Sequence, residues 1–204
     1  MITIIDAGIS NIKSIARGFV TQGFEVRVTT DPLDVGKAAS LVLPGVGAFP
    51  KAVEVLRRNG LWRAVLEHAR SGKPLLGVCL GMQLLFGDSD EHGLTEGLAL
   101  IPGRVRRFPP DRTVPHMGWN AVEVVRESPL FEGIPQRADF YFVHSYYGTP
   151  DDPLHEVCAC DHGGRFTAAV RRENVFGTQF HPEKSQDQGL RVLRNFAALT
   201  ETRV

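Results

Sequence analysis

The first half of the chain alternates two hydrophobic rhythms. Ile2–Ile5 is a short run of apolar and β-branched residues that predicts a strand. Residues 11–22 then place Ile12, Ile15, Ala16, Phe19 and Val20 at helical spacing before Gly23 stops the pattern. Residues 25–28 and 40–43 again predict strands, the second running into Pro44-Gly45-Val46-Gly47. Two helices are expected over 50–58 and 61–71, broken by Asn59-Gly60. Residues 74–78 are continuously apolar, as a parallel strand covered on both faces should be, and a helix over 80–86 follows.

Residues 87–97 (GDSDEHGLTEG) are polar, acidic and glycine-bearing, which predicts a surface loop. Beyond them the pattern changes to short strands separated by turns, over 114–117, 121–125, 140–144, 155–160, 167–171 and 175–180. Residues 186–199 predict a closing amphipathic helix with Leu190, Leu193, Phe196 and Ala197 inward. There is no repeat, low-complexity segment or dividing linker. Alternating strands and helices followed by more strands predict an α/β protein with one domain over 1–204, a three-layer sandwich around a central mixed, mostly parallel sheet.

Composition narrows the function classes. Lys plus Arg and Asp plus Glu both number 23, a formal net charge of zero, which argues against nucleic acid or a polybasic membrane contact as the main partner. Arg104, Arg106, Arg107 and Arg112 crowd one stretch, read as a solvated face. The N-terminus has no basic n-region or cleavage site, and no apolar run approaches the ~18–20 residues of a membrane helix. Three cysteines without scaffold spacing fit a reducing compartment, so a cytoplasmic protein is expected. Cys158 and Cys160 lie near His155 and His162, but no common zinc spacing is present; strand packing is the favoured reading, and neither metal nor cofactor is expected.

The chemistry concentrates in two segments. Gly77-Val78-Cys79-Leu80-Gly81 puts one cysteine between glycines where a buried strand turns into a helix, the logic of a nucleophile elbow. A helix N-terminus and a nearby imidazolium would lower the thiol pKa from ~8.5 toward ~3.5–7.5. The competing reading is a buried cysteine whose glycines serve tight packing. His181-Pro182-Glu183 offers an imidazole and, two positions on, a carboxylate that on an extended segment points the same way and orients the ring. The competing reading here is an exposed loop pair. Together the segments supply a thiol, a base and its orienting group. The glycine loop after 40–43 lacks Walker or dinucleotide spacing. Its backbone at Val46 and Gly47, with that of Leu80, suits an oxyanion hole, against a plain strand-to-helix turn. Pro115-His116-Met117-Gly118-Trp119-Asn120 suits either a core or an interface.

Taken in order and spacing, Leu43-Pro44-Gly45-Val46-Gly47-Ala48-Phe49, Gly77-Val78-Cys79-Leu80-Gly81-Met82-Gln83, the Met117 and Trp119 segment, Phe142-Val143-His144-Ser145-Tyr146 and Gln179-Phe180-His181-Pro182-Glu183-Lys184-Ser185 resemble the glutaminase subunits of imidazole glycerol phosphate synthases, within the class I (triad) glutamine amidotransferases. The resemblance covers essentially the whole chain and implies a flavodoxin-like fold. It implies that Cys79 attacks the side-chain amide of glutamine, that His181 moves the protons, and that Glu183 orients His181. It also implies that ammonia passes to a (β/α)₈-barrel cyclase, in a heterodimer with this chain, to make imidazole glycerol phosphate and an aminoimidazole carboxamide ribotide in histidine biosynthesis. It further implies glutamine contacts by Gln83, His144, Ser145 and Tyr146, and a partner interface including Asn11, Met117, Trp119, Tyr141 and Lys184. The family's usual Asp-Tyr-Gly-x-Gly-Asn start is here Asp6-Ala7-Gly8-Ile9-Ser10-Asn11, which bears on the loop near the partner. Rival readings are the glutaminase of anthranilate synthase or pyridoxal phosphate synthase, and a non-catalytic docking protein on the same fold.

Overall fold

Strands whose side chains are apolar on both sides must be covered on both faces, and this chain builds such a layer first. The computed structural model describes residues 1–8 and 11–200, so Ile9 and Ser10 lie outside the described residues. The parallel half consists of β1 (Ile2–Ile5), α1 (Ile12–Val20), β2 (Val26–Thr29), α2 (Pro32–Lys37), β3 (Leu41–Gly45), α3 (Phe49–Arg58), α4 (Leu61–Arg70), β4 (Leu75–Cys79) and α5 (Leu80–Leu84). There follow β5 (Asp88–Ser89), β6 (Thr95–Glu96), β7 (Gly103–Arg107), β8 (His116–Val124), β9 (Ala138–His144) and β10 (Tyr146–Pro150). The chain closes with β11 (Glu156–Asp161), β12 (Arg165–Arg172), β13 (Val175–Thr178) and α6 (Gln186–Ala198).

Among the described residues, nine strands form one sheet in the order β2-β1-β3-β4-β13-β12-β11-β8-β9. The sheet is mixed, as expected. Its four pairings from β2 to β13 are parallel. The four from β13 to β9 are antiparallel, because hairpin-like returns replace helical crossovers in the second half. The sheet is therefore as antiparallel as it is parallel, and its parallel part takes β13 alone from the C-terminal half.

Strand periodicity sorts the core into two faces. Ile2, Ile4, Val42, Leu76 and Val78 pack with Ile15 and Phe19 of α1 and with Leu193 and Phe196 of α6. Ile5, Leu41, Leu43 and Leu75 face the other way, onto Val35, Leu56, Val65 and Met82. Helices thus cover both faces of the parallel half. Asn11 starts α1, its side chain accepting from the Ser14 N–H at 3.4 Å. In α6, Leu193, Phe196 and Ala197 are buried as expected, while Leu190 is only half-buried.

Several expected boundaries move. Residues 87–97 are not only a loop: they hold β5 and β6, and Ser89 is fully buried. A second sheet, in the order β10-β7-β5-β6, takes up this segment. The arginine-rich stretch contains β7, whose Val105 is buried between exposed Arg104 and Arg106, so it is one amphipathic strand and not wholly a solvated face. The strands expected at 114–117 and 121–125 are one, continued through Gly118 at φ 129°. The helix after Cys79 ends at Leu84, two residues early. Cys158 and Cys160 are buried free thiols, both in the core, and burial raises their pKa values, that of Cys160 to about 12. Among the described residues no His, Cys, Asp and Glu cluster is arranged to hold a metal ion, and no helix is long and apolar enough to cross a membrane.

Candidate active site

The central strand β4 ends on Cys79, which turns the chain into α5 with φ 54° and ψ −111°. For a residue with a Cβ this backbone costs about 1–3 kcal/mol, a strain held only where the surroundings fix it. The flanking glycines are required by contact. A Cβ on Gly77 would lie 2.6 Å from the Gly81 carbonyl oxygen, and one on Gly81 would run into the carbonyl oxygen of Leu43. The two readings of this segment, tight packing and a presented thiol, describe one corner.

His181 sits just beyond β13. Its N–H donates to the Tyr141 carbonyl at 2.9 Å, and the Ser185 hydroxyl donates to its carbonyl at 2.6 Å. Its Nδ1 lies 2.8 Å from Glu183 Oε1, and both side chains are about 95% buried. The contact is made by a short 3₁₀ turn over Pro182–Lys184, not by the extended segment expected from the i, i+2 spacing. Burial by itself pushes the imidazole toward neutrality. The nearby Cys79 thiol and the Glu183 carboxylate outweigh it and hold the His181 pKa up at about 10. The ring's Nε2 is buried and has no hydrogen-bond partner among the described residues.

Cys79 opens on a cavity of about 280 Å³. Val46, Gly47, Leu80, Gln83, His144, Ser145 and Tyr146 line it, so the residues expected at an oxyanion hole and a glutamine subsite do meet around the thiol. Gly47, at φ 98°, takes a backbone that a β-carbon would disfavour. An adjoining crevice is walled by Asn11, Val46, His181, Glu183 and Lys184. A larger groove of about 520 Å³ near Phe131 and Arg171 has no thiol in its walls.

Three groups escaped the sequence reading. Glu91 lines the cavity and accepts the Phe49 N–H at 2.7 Å through Oε2, so an acidic residue of the supposed surface loop belongs to the walls that also hold the thiol. Gln179, fully buried, directs its amide N–H at Cys79 Sγ at 3.7 Å and accepts from Gln83 at 3.1 Å. His116 lies opposite His144 in the β8–β9 register, with 3.0 Å between His116 Nδ1 and His144 Nε2. Only the strand pairing could have revealed the last contact.

The expected partner residues form one edge of the site. Met117 and Trp119 are 62% and 48% exposed on β8. Trp119 meets Tyr141 edge-on at 6.1 Å, and Lys184 Nζ lies 5.6 Å over the Tyr141 ring. An apolar pair, an aromatic ring and a cation without a salt bridge among the described residues thus adjoin the crevice that holds His181.

Comparison with known proteins agrees with this geometry. Residues 3–199 match the family model for glutamine amidotransferase class-I. The chain is 50% identical over 203 residues to an imidazole glycerol phosphate synthase subunit HisH from Syntrophotalea carbinolica, covering 96% of this chain and 98% of that protein. It is 48% identical to the HisH subunit of Moorella thermoacetica, covering 97% and 94%. Among solved structures, a glutamine amidotransferase superposes with a TM-score of 0.76 at 19% identity, covering 98% of this chain and 99% of that one. PurLQS from Thermotoga maritima gives 0.73 at 19% identity, covering 97% of both chains. A thiol on a strained strand–helix corner, a carboxylate-held imidazole beside it and a match along nearly the whole sequence have one common source: the chain belongs to the class I glutamine amidotransferases.

Proposed function

We propose that this chain is the glutaminase subunit of an imidazole glycerol phosphate synthase, serving histidine biosynthesis. The observation that carries the chemistry is the buried His181–Glu183 contact beside the strained Cys79 corner. His181, held charged beside Cys79, already carries the proton that leaves the thiol, and the sulfur attacks the side-chain carbonyl carbon of glutamine. The oxyanion that forms is held by backbone N–H groups among Val46, Gly47 and Leu80. As the tetrahedral species collapses, His181 returns a proton to the nitrogen and ammonia leaves. Water, deprotonated by His181, then cleaves the glutamyl thioester to glutamate. Glu183 holds the ring so that Nε2 faces the reaction, the orienting role of the acid in such triads.

The cavity walls suit the rest of the substrate. Gln83 and the backbone of His144, Ser145 and Tyr146 offer donors and acceptors for the α-groups of glutamine. The Glu91 carboxylate suits its α-ammonium, a partner missed by the sequence reading. The partner is a cyclase of (β/α)₈ form that uses the ammonia, and Asn11, Met117, Trp119, Tyr141 and Lys184 are its docking edge in a heterodimer. The relatives at 48–50% identity bear the names of this subunit, which favours this reading over the anthranilate and pyridoxal phosphate glutaminases.

The test is co-purification with the cyclase, followed by glutamine-dependent synthesis of imidazole glycerol phosphate. The complex is expected to use glutamine, and the isolated chain to hydrolyse it slowly. Rapid turnover without the cyclase, or a complex that uses only free ammonia, would overturn the reading.

A further inference from the structure

A directional chain of hydrogen bonds runs from β8 to the cavity. Asn120 Nδ2 donates to the Asp161 carbonyl at 2.7 Å and lies 3.2 Å from His116 Nε2. His116 Nδ1 lies 3.0 Å from His144 Nε2, and His144 Nδ1 lies 2.8 Å from the Tyr146 carbonyl. A carbonyl oxygen only accepts, so His144 Nδ1 carries a proton and its Nε2 accepts. His116 must then donate from Nδ1 and accept at Nε2 from the Asn120 amide. Each link fixes the next, and both rings are neutral.

The far end of the chain is shared. The Tyr146 carbonyl also accepts from Gln83 Nε2 at 2.9 Å, and Gln83 leads through Gln179 to Cys79 Sγ. The rings are held sideways as well. His116 stacks on Phe142 at 4.7 Å and on His162 at 4.1 Å, and His144 packs against Phe108 at 5.2 Å. A buried polar chain in which both rings are bonded at both nitrogens specifies one arrangement of the backbone it ends on. That backbone is the Ser145–Tyr146 wall of the cavity.

We propose that Asn120, His116 and His144 are positioning residues for glutamine: their hydrogen-bond chain locks the Tyr146 carbonyl, and with it the Ser145–Tyr146 backbone and Gln83, in the arrangement that binds the substrate's α-groups. The chain starts on the strand whose opposite face exposes Met117 and Trp119, so the docking edge and the pocket wall share one rigid element. The inference rests on the glutaminase reading above. It assigns these residues no contact with the reacting amide.

The test compares His116→Phe with His116→Gln in the full complex with the cyclase. Phenylalanine keeps the stacking and removes both polar ends, whereas glutamine can donate and accept. His116→Phe is expected to raise the KM for glutamine about tenfold, the upper end for one unmade hydrogen bond, with kcat within about twofold of wild type. His116→Gln should recover most of the lost affinity. Asn120→Leu, altering a half-exposed side chain at the start of the chain, should raise KM about threefold and serves if His116→Phe does not fold. An unchanged KM in the folded variants, a fall confined to kcat, or equal damage from phenylalanine and glutamine would overturn the proposal while wild type still hydrolyses glutamine. No glutamine hydrolysis by the wild-type complex would instead remove the glutaminase reading, and this inference with it.

Discussion

His144, in the wall of the cavity, and His181, in the adjoining crevice, are both almost fully buried, yet their surroundings drive them to opposite charge states. At His181 the cost of burial is overcome by a thiol and a carboxylate, and the pKa stands at about 10. At His144 burial is only partly offset by the Tyr146 carbonyl, while His116, His162 and His181 add repulsion, and the pKa falls to about 3. His116, facing His162, falls to about 4 for the same leading reason. Burial alone therefore does not decide what a histidine does; the partner at its second nitrogen does. One side of the pocket is built to move protons, the other to stay neutral and hold a shape.

The two sides should fail differently under mutation. The largest effect is expected for Cys79→Ala, which removes the nucleophile and one of the groups that keep His181 charged: glutaminase turnover of the complex should fall roughly 10⁴–10⁶-fold. Glu183→Gln keeps the shape but weakens the hold on Nδ1. It should lower kcat by roughly 10²–10⁴-fold, with a smaller change in KM, in steady-state assays. On the binding side the split should reverse. Glu91→Gln still accepts the Phe49 N–H but loses the charge facing the cavity. KM for glutamine should rise about 10- to 100-fold, the range for a charge-assisted hydrogen bond, with kcat nearly kept. A kcat defect in Glu91→Gln, or a pure KM defect in Glu183→Gln, would break the division.

The smallest effects concern stability against pH. His181 holds its proton in the folded chain up to about pH 10, against about 6.5 unfolded, so its contribution is full below pH 6.5 and declines as pH rises toward 10. His144 and His116 bind protons more weakly folded than unfolded. Their contribution is full above pH 6.5 and is lost as pH falls through about 4 and then about 3. Denaturant titrations should show His144→Gln flattening the acid limb and His181→Gln flattening the alkaline limb. Each change is bounded by about 1.4 kcal/mol per pH unit and per histidine.

The proton-moving side was far more legible in the sequence than the binding side. Gly77 announces the Cys79 corner because the contact it permits, with Gly81, is local: β4, the turn and α5 are contiguous, whereas the contact of Gly81 with Leu43 on β3 comes only with the fold. His181 and Glu183 lie two residues apart, so their pairing could be read although the turn between them was mistaken for extended chain. Glu91 was hidden because an acid among Asp, Gly and His looks like solvent-facing loop until β5 draws the segment against the cavity. The contact between His116 and His144 depends on a strand register 28 residues apart in sequence, which no local pattern encodes. The helix at Pro32–Lys37, only six residues long, was too short to show a periodicity. The strand at Tyr146–Pro150 was obscured by Gly148 and Pro150, residues that ordinarily mark turns.

The most direct test of the central claim is peptide mapping by mass spectrometry after an acid quench of the cyclase complex turning over glutamine. A glutamyl group should be found as a thioester on Cys79, and none on the complex carrying Cys79→Ala. A glutamyl group on any other residue, or its persistence in the Cys79→Ala complex, would contradict the account.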